Sequence, residues 1–135
     1  MLRFMGSLVA VAIVAATANA QSASHHLHSK ARIYSNVQYI EEGAGDLVGT
    51  ELILFVSPSR VYGLFKDYEG PCTHGEPVSG SVGKGTLHLS GTSTTYGKVE
   101  IEGSITDKQI KATLQLEKAS KPQAVVLKRI SKGHC

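Results

Sequence analysis

The chain has 135 residues, of which 41% are hydrophobic and 19% charged, and a formal net charge of +3. That balance excludes a disordered polyelectrolyte, and the length allows one domain with a core but not two. There are two cysteines and no tryptophan.

Residues 1–20, MLRFMGSLVAVAIVAATANA, open with Arg3, continue through the apolar run from Leu8 to Ala16, and end on Ala18-Asn19-Ala20. This is the pattern of a secretory signal peptide with a small-residue cleavage site. The apolar run is shorter than the roughly 20 residues a membrane-crossing helix needs, so no stable membrane insertion is expected once it is removed. Gln21 follows the site, which speaks against lipid attachment there. The expected location is therefore periplasmic or extracellular. Residues 21–32 form a polar lead-in carrying His25, His26 and His28. Imidazoles so spaced are weak candidates for Zn or Cu ligands, but a segment with no strand to fix it gives up chain entropy to chelate, so no metal site and no cofactor are expected.

From residue 33 onward the apolar residues follow a period of two and not the i, i+3, i+4 pattern of a helix. Eight strands are predicted, over 33–41, 47–56, 61–68, 78–82, 86–91, 96–105, 110–118 and 124–130. The clearest is the seventh, where Ile110, Ala112, Leu114 and Leu116 face one way and Lys111, Thr113, Gln115 and Glu117 the other. Short polar connections make sequential strands neighbours, so residues 33–135 are read as a single all-β domain, an antiparallel up-and-down meander closing into a small barrel. A two-sheet sandwich is the alternative. The stretch GSVGKGTLHL invites comparison with a phosphate loop, but Val78 and Gly85 stand where that loop needs Gly and a hydroxyl. Thr86 to Leu89 then alternate as a strand, so Gly-Lys-Gly is read as a hairpin turn.

Cys72 and Cys135 are expected to form one disulfide if the chain is exported, stabilising by about 4 kcal/mol on the chain-entropy view. A bridge between two chains through terminal Cys135 is the competing arrangement, although a monomer is expected. The segment 69–77, EGPCTHGEP, is the longest connection between strands and the best recognition loop, with Glu69, Pro71, Thr73, His74 and Glu76 as its contact residues. Cys72, His74 and Glu76 would offer a nucleophile or metal set only if the sulfur were free. Carboxylates at Glu41, Glu42, Asp67 and Glu69 could supply a glycosidase pair, yet nothing in their spacing distinguishes one. With no G-x-S-x-G elbow either, the chain is read as a non-enzyme, with a hydrolase as a remote alternative.

Most of the aromatic residues fall on the first three strands, and Tyr39, Tyr62, Phe65 and Tyr68 are the predicted ligand-binding set for a small ligand in or at the mouth of the barrel. The second functional reading is an inhibitor or interaction module that presents the loop 69–77 to another exported protein. Residues 98–135 hold eight Lys or Arg against four Asp or Glu, while 21–97 hold five against seven. The basic residues are not interleaved with aromatics, so nucleic acid is not expected as a partner.

The stretches YIEEGAGDLVGTELIL, VYGLFKDYEG and AVVLKRI resemble small exported bacterial β-barrel proteins of uncharacterised function, a group lipocalin-like (calycin-like) in outline. The resemblance covers most of residues 33–130 and lies in strand rhythm, glycine placement and the final Leu-Lys-Arg strand. It implies a closed meander. The lipocalin Gly-x-Trp signature is absent, so small-molecule carriage does not transfer. Small periplasmic inhibitors of proteases and lysozyme are similar in being compact, disulfide-stapled barrels.

Overall fold

A computed structural model describes residues 30–41 and 45–135. The expected signal peptide, His25, His26, His28 and Glu42 lie outside the described residues. Among the described residues nine strands run β1 (Arg32–Ser35), β2 (Gln38–Ile40), β3 (Asp46–Val56), β4 (Arg60–Gly70), β5 (Glu76–Gly83), β6 (Thr86–Ser93), β7 (Gly97–Ile105), β8 (Gln109–Leu116) and β9 (Gln123–Ile130). From β3 to β9 each strand pairs antiparallel with the next, and β1 pairs with both β9 and β3. Those eight strands close a barrel, with β2 as an extra strand on β3. Because the ladder is continuous through that closing pair, the two-sheet sandwich is set aside.

The predicted first strand is broken at Asn36 and Val37 by hydrogen bonds that turn the chain. The Asn36 amide donates to the Thr50 carbonyl at 3.1 Å, and its side-chain Oδ1 accepts from the Thr50 amide at 2.7 Å. The Val37 amide donates to the Ser35 hydroxyl at 3.1 Å. Gly49, at φ +132°, makes the break possible, since a Cβ there would come within 2.9 Å of the Asn36 and Val37 backbone. The Gly-Lys-Gly turn is as read. Lys84 and Gly85, both at positive φ (52° and 76°), join paired Gly83 and Thr86, the geometry a two-residue hairpin prefers.

Inward residues follow the period-two pattern of each strand. Leu52, Leu54, Leu87, Leu89, Ile110 and Leu127 are fully buried, with Tyr34 and Phe65 the largest side chains of one contiguous cluster. The lumen is thus a packed core, held by apolar burial worth roughly 25 cal/mol per Å². We call the end where β3 begins and β4 ends the mouth, and the opposite end the base. At the base, the Tyr34 hydroxyl donates to the Thr106 carbonyl at 2.8 Å and the Arg129 guanidinium stands 5.6 Å from the centre of its ring.

Candidate functional site

Three surfaces hold the polar chemistry: the mouth, the outer wall beside it, and the base. At the mouth the connection expected to be the longest narrows to residues 71–75, shorter than 117–122 between β8 and β9, because Glu69 and Gly70 extend β4 while Glu76 and Pro77 open β5. The loop is tied at both sides. Cys72 is bonded to Cys135, and the Glu76 carboxylate accepts from the Thr94 hydroxyl and amide at 3.3 and 3.4 Å, which links β5 to the turn after β6. The bridge lies within one chain and fits an oxidising environment. It removes the thiolate that a catalytic Cys72 would need. Pro71 and His74 are exposed and Thr73 is half-buried, so the loop presents side chains on a backbone it cannot easily move.

Inside the mouth rim, Thr50 and Asp67 are opposite one another in the β3–β4 ladder, and the Thr50 hydroxyl is 3.4 Å from Asp67 Oδ1. Burial pushes the Asp67 carboxyl above its ordinary value. The Tyr96 hydroxyl beside it opposes that shift, the charge of Glu69 adds to it, and the Thr50 hydroxyl opposes it. The Tyr96 hydroxyl is itself pushed up, first by burial and then by Asp67 and Glu69, so it stays protonated and serves as a donor. The mouth is acidic: Glu41, Asp46, Asp67, Glu69 and Glu76 sit on the β2–β5 side among the described residues, and Lys98, Lys118 and Lys121 lie across from them.

The outer wall beside the mouth holds a hydrogen-bonded carboxylate–imidazole pair that the sequence pattern conceals. After β9, the final residues 131–135 run back across the outside of β1, β3 and β4 from base to mouth. A Cβ on Gly133 would lie 3.0 Å from Glu51 Oε1 and 3.8 Å from Ile33 Cδ1. Glu51 is fully buried beneath this strap. Its Oε2 accepts from the His134 backbone amide at 3.2 Å and lies 2.7 Å from His134 Nδ1, while Oε1 has no hydrogen-bond partner. The Tyr68 hydroxyl donates to the His134 carbonyl at 2.7 Å, and burial, followed by the charge of Glu51, pushes that phenol up. The strap thus covers the seam where β1 meets β3, and its last residue is the half-cystine held by Cys72. A carboxylate that orients an imidazole can tune a catalytic or metal-binding histidine, but no cluster of three metal-ligating side chains occurs among the described residues.

The structure separates the four aromatics predicted to share a ligand site. Phe65 points into the packed core, 1% exposed. Tyr62 and Tyr68 share the opposite, outer face of β4, but Tyr62 is 59% exposed and stacked on Phe55 at 5.2 Å, while Tyr68 is covered by the strap. Tyr39 is on β2, 64% exposed. The period-two rule would have shown part of this, since residues 62 and 65 of one strand must face opposite ways.

At the base the charge reverses. Arg32 begins β1, Arg60 begins β4, Lys84 and Lys108 occupy the hairpin turns, and Arg129 lies next to the end of β9. The acidic residue among the described residues of this rim is Asp107, which Arg32 pairs at 3.5 Å and whose carbonyl accepts from Arg129 at 3.4 Å.

No protein-family model, curated protein or solved structure matches the chain.

Proposed function

We propose that this is an exported, non-catalytic binding protein that engages another exported protein with the outside of its mouth. The observation that carries the reading is the packed lumen next to an anchored, side-chain-bearing loop. A carrier needs a concave, mostly apolar site that buries most of its ligand, whereas Leu52, Phe65 and Leu89 already occupy that volume. What the mouth offers is residues 71–75, fixed by Cys72 and by the Glu76 bonds to Thr94, flanked by Glu69 and Asp67. Rigid loops on a barrel bind with little ordering cost, and the acidic setting favours a partner with a cationic face. The lipocalin-like outline belongs to the same proposal, with recognition moved from the interior to the rim.

The experiment is capture from the exported protein fraction of the host, with the parent protein and a Glu69→Lys/Glu76→Lys variant compared side by side. The parent should retain a partner that salt weakens, and the variant should lose it with an unchanged far-ultraviolet circular dichroism spectrum. A partner retained equally by both, or a small apolar molecule recovered from the purified parent, contradicts the reading.

A further inference from the structure

From the opposite end of the molecule, we propose that the base of the barrel docks on an anionic membrane surface. The base spans residues 30–33, 55–60, 82–87, 104–110 and 128–131, which hold Lys and Arg at 30, 32, 60, 84, 108, 128 and 129 and a single carboxylate, Asp107. No sequence window shows this concentration, because the cations come from five separated segments that the barrel register brings to one rim. The rim is continuous. The Val82 amide donates to the Ser59 carbonyl, Ile105 to Gly85 and Arg129 to Lys108, so the turns and strand ends that carry the charges are bonded to one another around the circumference. Asp107 offsets only one of the seven, since its carboxylate pairs with Arg32 while Arg129 reaches its backbone carbonyl.

Three features favour a bilayer over a soluble polyanion. The cations ring the end of a cylinder and so define a plane, whereas a linear polymer is held by a groove with stacking aromatics along it. Lys84 and Lys108 sit at exposed turn tips, where strongly hydrated ammonium groups meet phosphate as point charges without requiring one fixed pose. Beside the rim, on the outer wall next to Arg60, the exposed Tyr62 stacks on Phe55, an amphipathic pair of the kind enriched at the headgroup level of membranes. A shallow depression at the base is bordered by Lys30 and Arg129. The attachment is peripheral and electrostatic, and it leaves the acidic mouth facing away from the membrane. It is independent of the partner proposed for that mouth, and either can fail alone.

The test is co-sedimentation of the protein, recovered after export, with phosphatidylglycerol-containing vesicles and with phosphatidylcholine vesicles. At an ionic strength of about 0.01 M, where the Debye length is about 30 Å, binding to the anionic vesicles only is expected, and it should vanish near 1 M, where that length is about 3 Å. Lys84→Gln and Lys108→Gln should each weaken the partition constant about fivefold, and Tyr62→Ser should weaken it further, whereas Lys118→Gln and Lys121→Gln at the mouth should leave it unchanged. All variants share one N-terminus, so any membrane affinity of that segment cancels in the comparison. No binding to anionic vesicles at low salt, equal losses from base and mouth variants, or tighter binding to heparin or single-stranded DNA than to vesicles would each overturn the proposal.

Discussion

At the base, Tyr34 closes the barrel from within, its ring under Arg129 and its hydroxyl on Thr106, and the charged groups stand outside as an exposed ring. At the mouth the closure is external. A strap of five residues folds over the wall, buries Glu51 and ends in a disulfide, while carboxylates line the β2–β5 side of the opening. The difference shows how a barrel too small to keep a cavity can still carry two distinct surfaces. Its core specifies the cylinder, and each end is then free to take its own charge and its own means of fixation. It also predicts that the two ends fail separately.

The largest effect should come from the disulfide. Reduction, or Cys72→Ser with Cys135→Ser, should cost about 4 kcal/mol for a sequence separation of 63. Thermal melts with and without reductant measure this. Amide exchange should rise in 71–75 and 131–135 and stay unchanged at the base. Next comes His134→Ala, which takes the imidazole from the buried Glu51 and leaves its Oε2 only the residue-134 backbone amide, and should cost about 2 kcal/mol by denaturant unfolding. In the disulfide-free background that loss should shrink, because an untethered strap can lift and let water reach Glu51. A double-mutant cycle with no coupling would break the idea that strap and bridge act as one latch.

Tyr34→Phe probes the other end and should cost about 1 kcal/mol through the lost bond to Thr106. Exchange should rise at 106–109 and not at the strap. The smallest effect is a pH dependence at the mouth. Burial holds the folded Asp67 carboxyl above 3.8, so the folded protein keeps a proton that the unfolded chain releases, and this contribution to stability falls as pH rises from 3.8 through the folded value. Asp67→Asn removes that slope. The variant should therefore gain on the parent with rising pH over this window, and parallel stability curves would count against a desolvated Asp67.

The strands and the hairpin at Lys84 were legible because local pattern determines them. Alternation in 110–118 places each side chain, and Gly-Lys-Gly supplies the positive φ its turn needs. The intrachain bridge was expected, and it is present. The wall site was not legible. Glu51 lies in GTELIL at a position that alternation assigns to a wet face, and it is buried only because a tail more than 80 residues later crosses that face, its pair with His134 spanning 83 residues. The burial of Tyr68 was hidden for the same reason, since its cover is the same tail. The charge reversal between the ends was hidden likewise, since counting along the chain averaged the mouth and the base within every window. Parity could have divided Phe65 from Tyr62 and Tyr68, which share the other face of β4.

The central claim is that the barrel acts through its outer surfaces and not through its lumen. The most direct measurement is methyl NMR of the protein titrated with an apolar probe such as a fatty acid, following the core methyl groups of Leu52, Leu89 and Leu127. The expected result is no saturable shift at these methyls, with any changes confined to exposed groups such as Leu64 and Val126. Saturable shifts of the core methyls, pointing to a lumen that opens to admit a ligand, would contradict it.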